Sequence, residues 1–97
     1  MYASGVWVVR EGHEQEFARS WQAAADEAAL RFPGVTFRLL RDIASPTRFV
    51  AFSGPWRSAE QIAAARELPA FQALAEASDG VVESAELSVF ELAAEIS

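Results

Sequence analysis

The chain has 97 residues, enough for one domain that buries about two thirds of the surface its unfolded form exposes. Its fourteen acidic residues outnumber eight scattered basic ones, all arginine, and the net charge of -6 excludes the concentrated positive surface that a nucleic acid requires. The lack of cysteine excludes disulfides, thiolate metal sites and a cysteine nucleophile.

The first residues lack the basic-then-apolar pattern of a signal peptide, and no apolar run approaches the roughly 18 residues of a membrane span. A cytoplasmic location with no membrane partner is expected. Hydrophobic residues make up 52% of the chain and aromatic ones 11%. That is rich for a domain that must also cover itself with polar surface, so part of the apolar area is expected at an interface.

Tyr2 to Val9 is β-rich and is broken by Glu11-Gly12, where glycine accepts tight-turn backbone angles. From His13 the period changes. Phe17, Trp21, Ala24 and Ala28 form one stripe of an amphipathic helix, and the alanines favour it intrinsically. Glu14, Glu16, Asp26 and Glu27 read as its solvated side. Phe32-Pro33-Gly34 stops the helix.

Val35 to Arg41 and Arg48 to Phe52 are β-type runs joined by the turn-forming stretch 42–47, which predicts an antiparallel hairpin. Gly54-Pro55-Trp56 closes the second of them, and Ser58 with Gln61 has the spacing of a capping box. Pro69 divides the following helical region, predicting short helices over Ala59 to Arg66 and Pro69 to Ala77, with Ile62, Leu68, Phe71 and Leu74 as the apolar face. Asp79-Gly80 ends it, and Val81 to Leu92 reads as a long final strand with apolar groups on both faces.

The resulting order, β-α-β-β-α-β, is the ferredoxin-like plan of an α+β domain, with the helices on one face of a four-stranded antiparallel sheet and a single domain spanning residues 1–97. The other face is left bare. An antiparallel sheet with one wet face alternates apolar with polar, but Val6-Trp7-Val8-Val9 and Phe49-Val50-Ala51-Phe52 do not. Covering three to five large side chains there stabilises an assembly by roughly 5 to 15 kcal/mol, and a second copy of the chain is the simplest cover. A homodimer is expected.

The stretch from Phe49 through Trp56 to Glu60, continuing through Leu68-Pro69-Ala70-Phe71-Gln72, resembles the antibiotic biosynthesis monooxygenase family, and Arg10-Glu11-Gly12-His13 through Phe17 is similar to that family's strand-to-helix turn. The resemblance implies a dimeric α/β barrel. It includes cofactor-independent oxygenases of polycyclic aromatic substrates, haem-degrading enzymes and proteins without an assigned activity. Asparagine, tryptophan and either arginine or histidine recur as working residues in the first two groups. This chain has no asparagine, and Ala65 stands where relatives often carry histidine on the helix. The resemblance therefore implies no haem ligand, and no cofactor or metal is expected.

Trp56 stands at the family's tryptophan position and is the candidate catalytic residue. It sits at a strand end, where site residues gather, and its indole N–H can donate to a substrate oxygen but cannot act as a base. Trp7, Trp21, Phe37, Phe52 and Phe71 are the candidate walls of a cavity for a small apolar or aromatic molecule, with Arg38 as the candidate partner of an enolate. The same aromatics serve equally well as plain core, and His13 and Arg48 are further polar candidates. No serine sits in a nucleophile elbow, so hydrolysis is not expected.

Overall fold

The computed structural model describes residues 1–96. Its elements follow the order β1 (Tyr2–Val9), α1 (Glu14–Arg31), β2 (Thr36–Arg41), β3 (Arg48–Gly54), α2 (Ala59–Arg66), α3 (Pro69–Ser78) and β4 (Val82–Phe90). The strands form one antiparallel sheet in the order β2-β3-β1-β4, the ferredoxin-like plan the sequence implies, with the second helix divided in two at Pro69.

The inner face carries the odd-numbered residues of the first three strands, because successive side chains of a strand point to opposite sides. Trp7 and Phe49 meet Phe17 of α1 there, each with its ring centroid 5.3 Å from that of Phe17. Phe17, Trp21, Ala24 and Ala28, the predicted stripe of α1, are all buried, and Ala25 is buried beside them. The small alanines let the helix axis lie close to the sheet. Gly5 has a related part: the Trp7 ring folds back over it, so that a Cβ at this position would overlap the indole.

A second cluster of Ala3, Trp56, Ile62 and Ala65, backed by Phe32, Val35 and Phe37, joins α2 to the end of β3. The Ser58 hydroxyl accepts a hydrogen bond from the Gln61 backbone N–H at 3.1 Å, as the capping box requires. The return bond differs from the expected one. The Gln61 side chain accepts from the backbone N–H of Arg57, at 2.8 Å, rather than from that of Ser58.

Four strand boundaries also differ from the sequence reading, and two of them only by a one-residue later start, of β2 at Thr36 and of β4 at Val82. β3 continues to Gly54 because Thr36 of β2 offers it a partner, and β4 ends at Phe90, short of Leu92, because its partner there is Tyr2, the first residue of β1. Beyond that point no neighbour supplies a ladder.

The outer face carries Leu40, Val50 and Val6 in one row across the sheet, continued by Glu86 on β4. The adjacent row is Arg38, Phe52, Ser4 and Ser88. Among the described residues nothing covers this face, and Leu40, Phe52 and Phe90 stand about half exposed at 51%, 48% and 50%. No helix among the described residues is long and apolar enough to cross a membrane.

Candidate functional site

Between the inner face of the sheet and the helices lies a cavity of about 420 Å³, within the range usual for small-molecule sites. Its floor is Ala3, Gly5 and Trp7 of β1 with Ala51 and Ser53 of β3. α1 contributes Trp21 and Ala25, while α2 and α3 supply Ile62, Ala65, Arg66, Phe71, Gln72 and Leu74. Val82, Ala85 and Leu87 of β4 form the remaining side, and there Leu87 is 55% exposed, so the cavity opens over this edge strand.

Trp7, Trp21, Phe37, Phe71 and Trp56, five of the sequence candidates, come together in these walls. Phe52 borders the cavity too, but strand alternation sends its side chain to the outer face, since Ala51 and Ser53 on either side of it face inward. Arg38 is not among the lining residues. It follows Phe37, whose ring reaches inward to Trp56, so its own side chain leaves on the outer side, in register with Phe52.

Trp56 is buried, packed edge-on by Phe32 and Phe37 at centroid distances of 5.3 and 5.7 Å. Its indole N–H donates to the Ser53 hydroxyl oxygen at 2.9 Å. The donor that the sequence offers to a substrate oxygen is therefore already engaged. Ser53 itself borders the cavity, and no described residue accepts its own hydroxyl hydrogen.

The polar side chains in the walls are few. Arg66 is the single charged residue among them, and Gln72 is tied to the Arg66 carbonyl at 3.3 Å. No carboxylate or imidazole borders the cavity. His13 stands apart in the turn before α1, exposed and 2.9 Å from the Glu16 carboxylate. Among the described residues no group of three or more histidine, aspartate or glutamate side chains is placed to ligate a metal.

Ser4, Ser53, Arg66, Gln72 and Ser78 are the polar wall residues that sequence reasoning did not place in the cavity. Ser53 had a legible signal, since it shares the inward parity of Phe49 and Ala51 and precedes Trp56 by three residues. The others had none.

The model of the antibiotic biosynthesis monooxygenase family matches residues 2–77. The chain belongs to this family. No curated protein matches it in sequence. Among solved structures, an antibiotic biosynthesis monooxygenase-named protein of Nitrosomonas europaea superposes with a TM-score of 0.82 at 20% identity, covering 97% of this chain and 100% of the other. A variant of SnoaB, a cofactor-independent oxygenase of Streptomyces nogalater, superposes with a TM-score of 0.82 at 23% identity over 98% of this chain and 94% of its own. A protein of Deinococcus radiodurans named for the same family reaches 0.82 at 14% identity, over 99% of this chain and 95% of its own. At these identities the likeness establishes the shared fold of this antibiotic biosynthesis monooxygenase family member, and its chemistry rests on its own residues.

Proposed function

We propose that this family member is a cofactor-independent monooxygenase that takes a small phenol- or quinol-type aromatic molecule into the inner cavity and works as a homodimer paired through the outer sheet face. The observation that carries the proposal is a cavity of about 420 Å³ walled by five aromatic side chains, with only a handful of polar groups to orient a ligand. SnoaB, of the same fold, is named a cofactor-independent oxygenase, which supports the reaction class.

In such a reaction an activated methylene of the substrate loses a proton to give an enolate. The enolate carbon then reduces dioxygen and forms a carbon–oxygen bond. The resulting hydroperoxide breaks its oxygen–oxygen bond and releases water, so that a CH2 group and O2 become a ketone and H2O. The protein's part is to hold the flat ring system between aromatic walls, keep water away from the reacting carbon and stabilise the negative oxygen. Trp56 and the other aromatic walls supply the first two, and because the walls hold no carboxylate or imidazole the proton is lost to bulk solvent before the substrate is enclosed.

The homodimer reading is supported by the uncovered row of Leu40, Val50 and Val6 and by charges of opposite sign at the two edges of the outer face, Arg38 on β2 and Glu86 on β4. A two-fold pairing of identical faces suits such an arrangement.

The absence of a carboxylate or imidazole to accept a proton in the walls favours a second reading, a non-catalytic dimer that binds an apolar metabolite. Oxygen uptake separates the two. With an anthrone as substrate, the enzyme consumes oxygen faster than its Trp56→Phe variant. Uptake no greater than that of the variant, together with quenching of tryptophan fluorescence by the anthrone, identifies a binder.

A further inference from the structure

We propose that the Ser53 hydroxyl, oriented by the Trp56 indole, is the hydrogen-bond donor for the oxygen of an ionised ligand, and that the cavity therefore selects acidic phenols and enols over their neutral ethers. The inference rests on the cavity being the ligand site, and it deepens that reading by naming the ligand's charge state and the residue that recognises it.

The hydrogen-bond direction carries the argument. Indole nitrogen has a hydrogen to give and no lone pair to receive one, so in the 2.9 Å contact Ser53 must be the acceptor. Its own hydrogen is then left to point elsewhere, and no described residue takes it. Accepting one bond strengthens the hydroxyl as a donor in the other. Ser53 also borders the cavity and shares the inward face of β3 with Ala51, so an oxygen atom of a bound ligand is the natural acceptor.

The surrounding charge has the matching sign. Arg66 is the only charged side chain in the walls, and it follows Ala65, which packs with Trp56 in the cluster beside Ser53. A donor and a cation with no carboxylate nearby favour a negative oxygen over a neutral one. The lack of a carboxylate or imidazole to accept a proton has a consequence as well. The ligand's proton must be acidic enough to leave without a protein base, which describes phenols and enols conjugated to a carbonyl or nitro group. Trp56 is then a positioning residue, acting on the ligand through Ser53.

The test uses the full chain with 4-nitro-1-naphthol, whose anion is coloured, and with its methyl ether. Absorbance titration gives the pH at which the bound naphthol ionises, and fluorescence quenching gives both affinities. The wild type is expected to bind the naphthol at least about tenfold more tightly than the ether, the scale of a hydrogen bond to a charged group. It should also lower the naphthol's ionisation by about one pH unit. Ser53→Ala should abolish most of both effects while leaving ether affinity unchanged, Ser53→Thr should restore them, and Arg66→Gln should remove part of the ionisation shift.

Equal affinity for naphthol and ether in the wild type, or a Ser53→Ala protein that keeps the ionisation shift, overturns the inference and leaves the cavity as the ligand site. Failure of the wild type to bind either probe overturns that site and the inference with it.

Discussion

Phe52→Arg places a charge on the outer sheet face at the point where pairing is expected to bury it. Leu40, Phe52 and Phe90 are each about half exposed there, so each has about half of the usual 1.5 to 3 kcal/mol still to gain, roughly 1 kcal/mol per side chain. Over two protomers these three residues contribute about 6 kcal/mol, and Val6 and Val50 add to it across the same row. The substitution removes about 2 kcal/mol over the two copies. It also sets a guanidinium beside Arg38, its register partner, at a desolvation cost of several kcal/mol. A net loss of at least about 4 kcal/mol weakens association a thousandfold or more, at 1.4 kcal/mol per factor of ten. Sedimentation velocity at micromolar concentration should show a dimer for the wild type and a monomer for Phe52→Arg, with unchanged far-ultraviolet circular dichroism. A monomeric wild type, or a variant that still sediments as a dimer, refutes the reasoning.

Gly5→Ala drives a methyl group into the Trp7 indole, with ring atoms Cζ2 and Cζ3 only 2.7 Å from the added carbon. The indole must leave its place in the cavity floor, and the expected loss is about 1–3 kcal/mol in urea unfolding with an altered tryptophan emission; wild-type stability and spectrum would contradict the packing. At the β2–β3 turn, Asp42 accepts backbone hydrogen bonds from Ala44 at 2.8 Å and Ser45 at 3.2 Å, and its pKa is lowered by these bonds first and by Arg48 after them. A carboxyl with a lower pKa folded than unfolded stabilises the fold above its unfolded pKa of about 3.9. That contribution disappears as the pH falls through the folded value. Asp42→Ala should therefore be less stable than wild type at neutral pH, with the difference shrinking toward zero in strong acid; a constant difference across that range would show that the carboxylate charge plays no part.

Much of the architecture was legible because each element carries its own period and stop signals. The spacing of Phe17, Trp21, Ala24 and Ala28 defined the buried side of α1, and Pro69 marked the break between α2 and α3. The ends of β3 and β4 were not legible, because a strand ends where its neighbour does: Thr36 extends one and Tyr2 limits the other. The cavity was readable as a set of aromatics. Its polar side was misjudged at Arg38 by a rule available in the sequence, since Phe37 and Arg38 are adjacent on one strand and cannot both face inward. Ser53 becomes conspicuous only when the Trp56 ring is seen to close back upon it, a contact of tertiary geometry.

Consecutive residues of β3 serve opposite surfaces, with Ala51 and Ser53 turned toward the cavity and Phe52 toward the outside. A ligand that shifts this strand by a few tenths of an ångström cannot do so on one side alone. For the proposed dimer, occupancy of the cavity and pairing through the outer face are then linked, and the linkage is reciprocal: whatever factor ligand adds to pairing, pairing adds to ligand affinity. On that proposal, a single strand gives a protein of this size the means to make its appetite for a ligand depend on its own concentration.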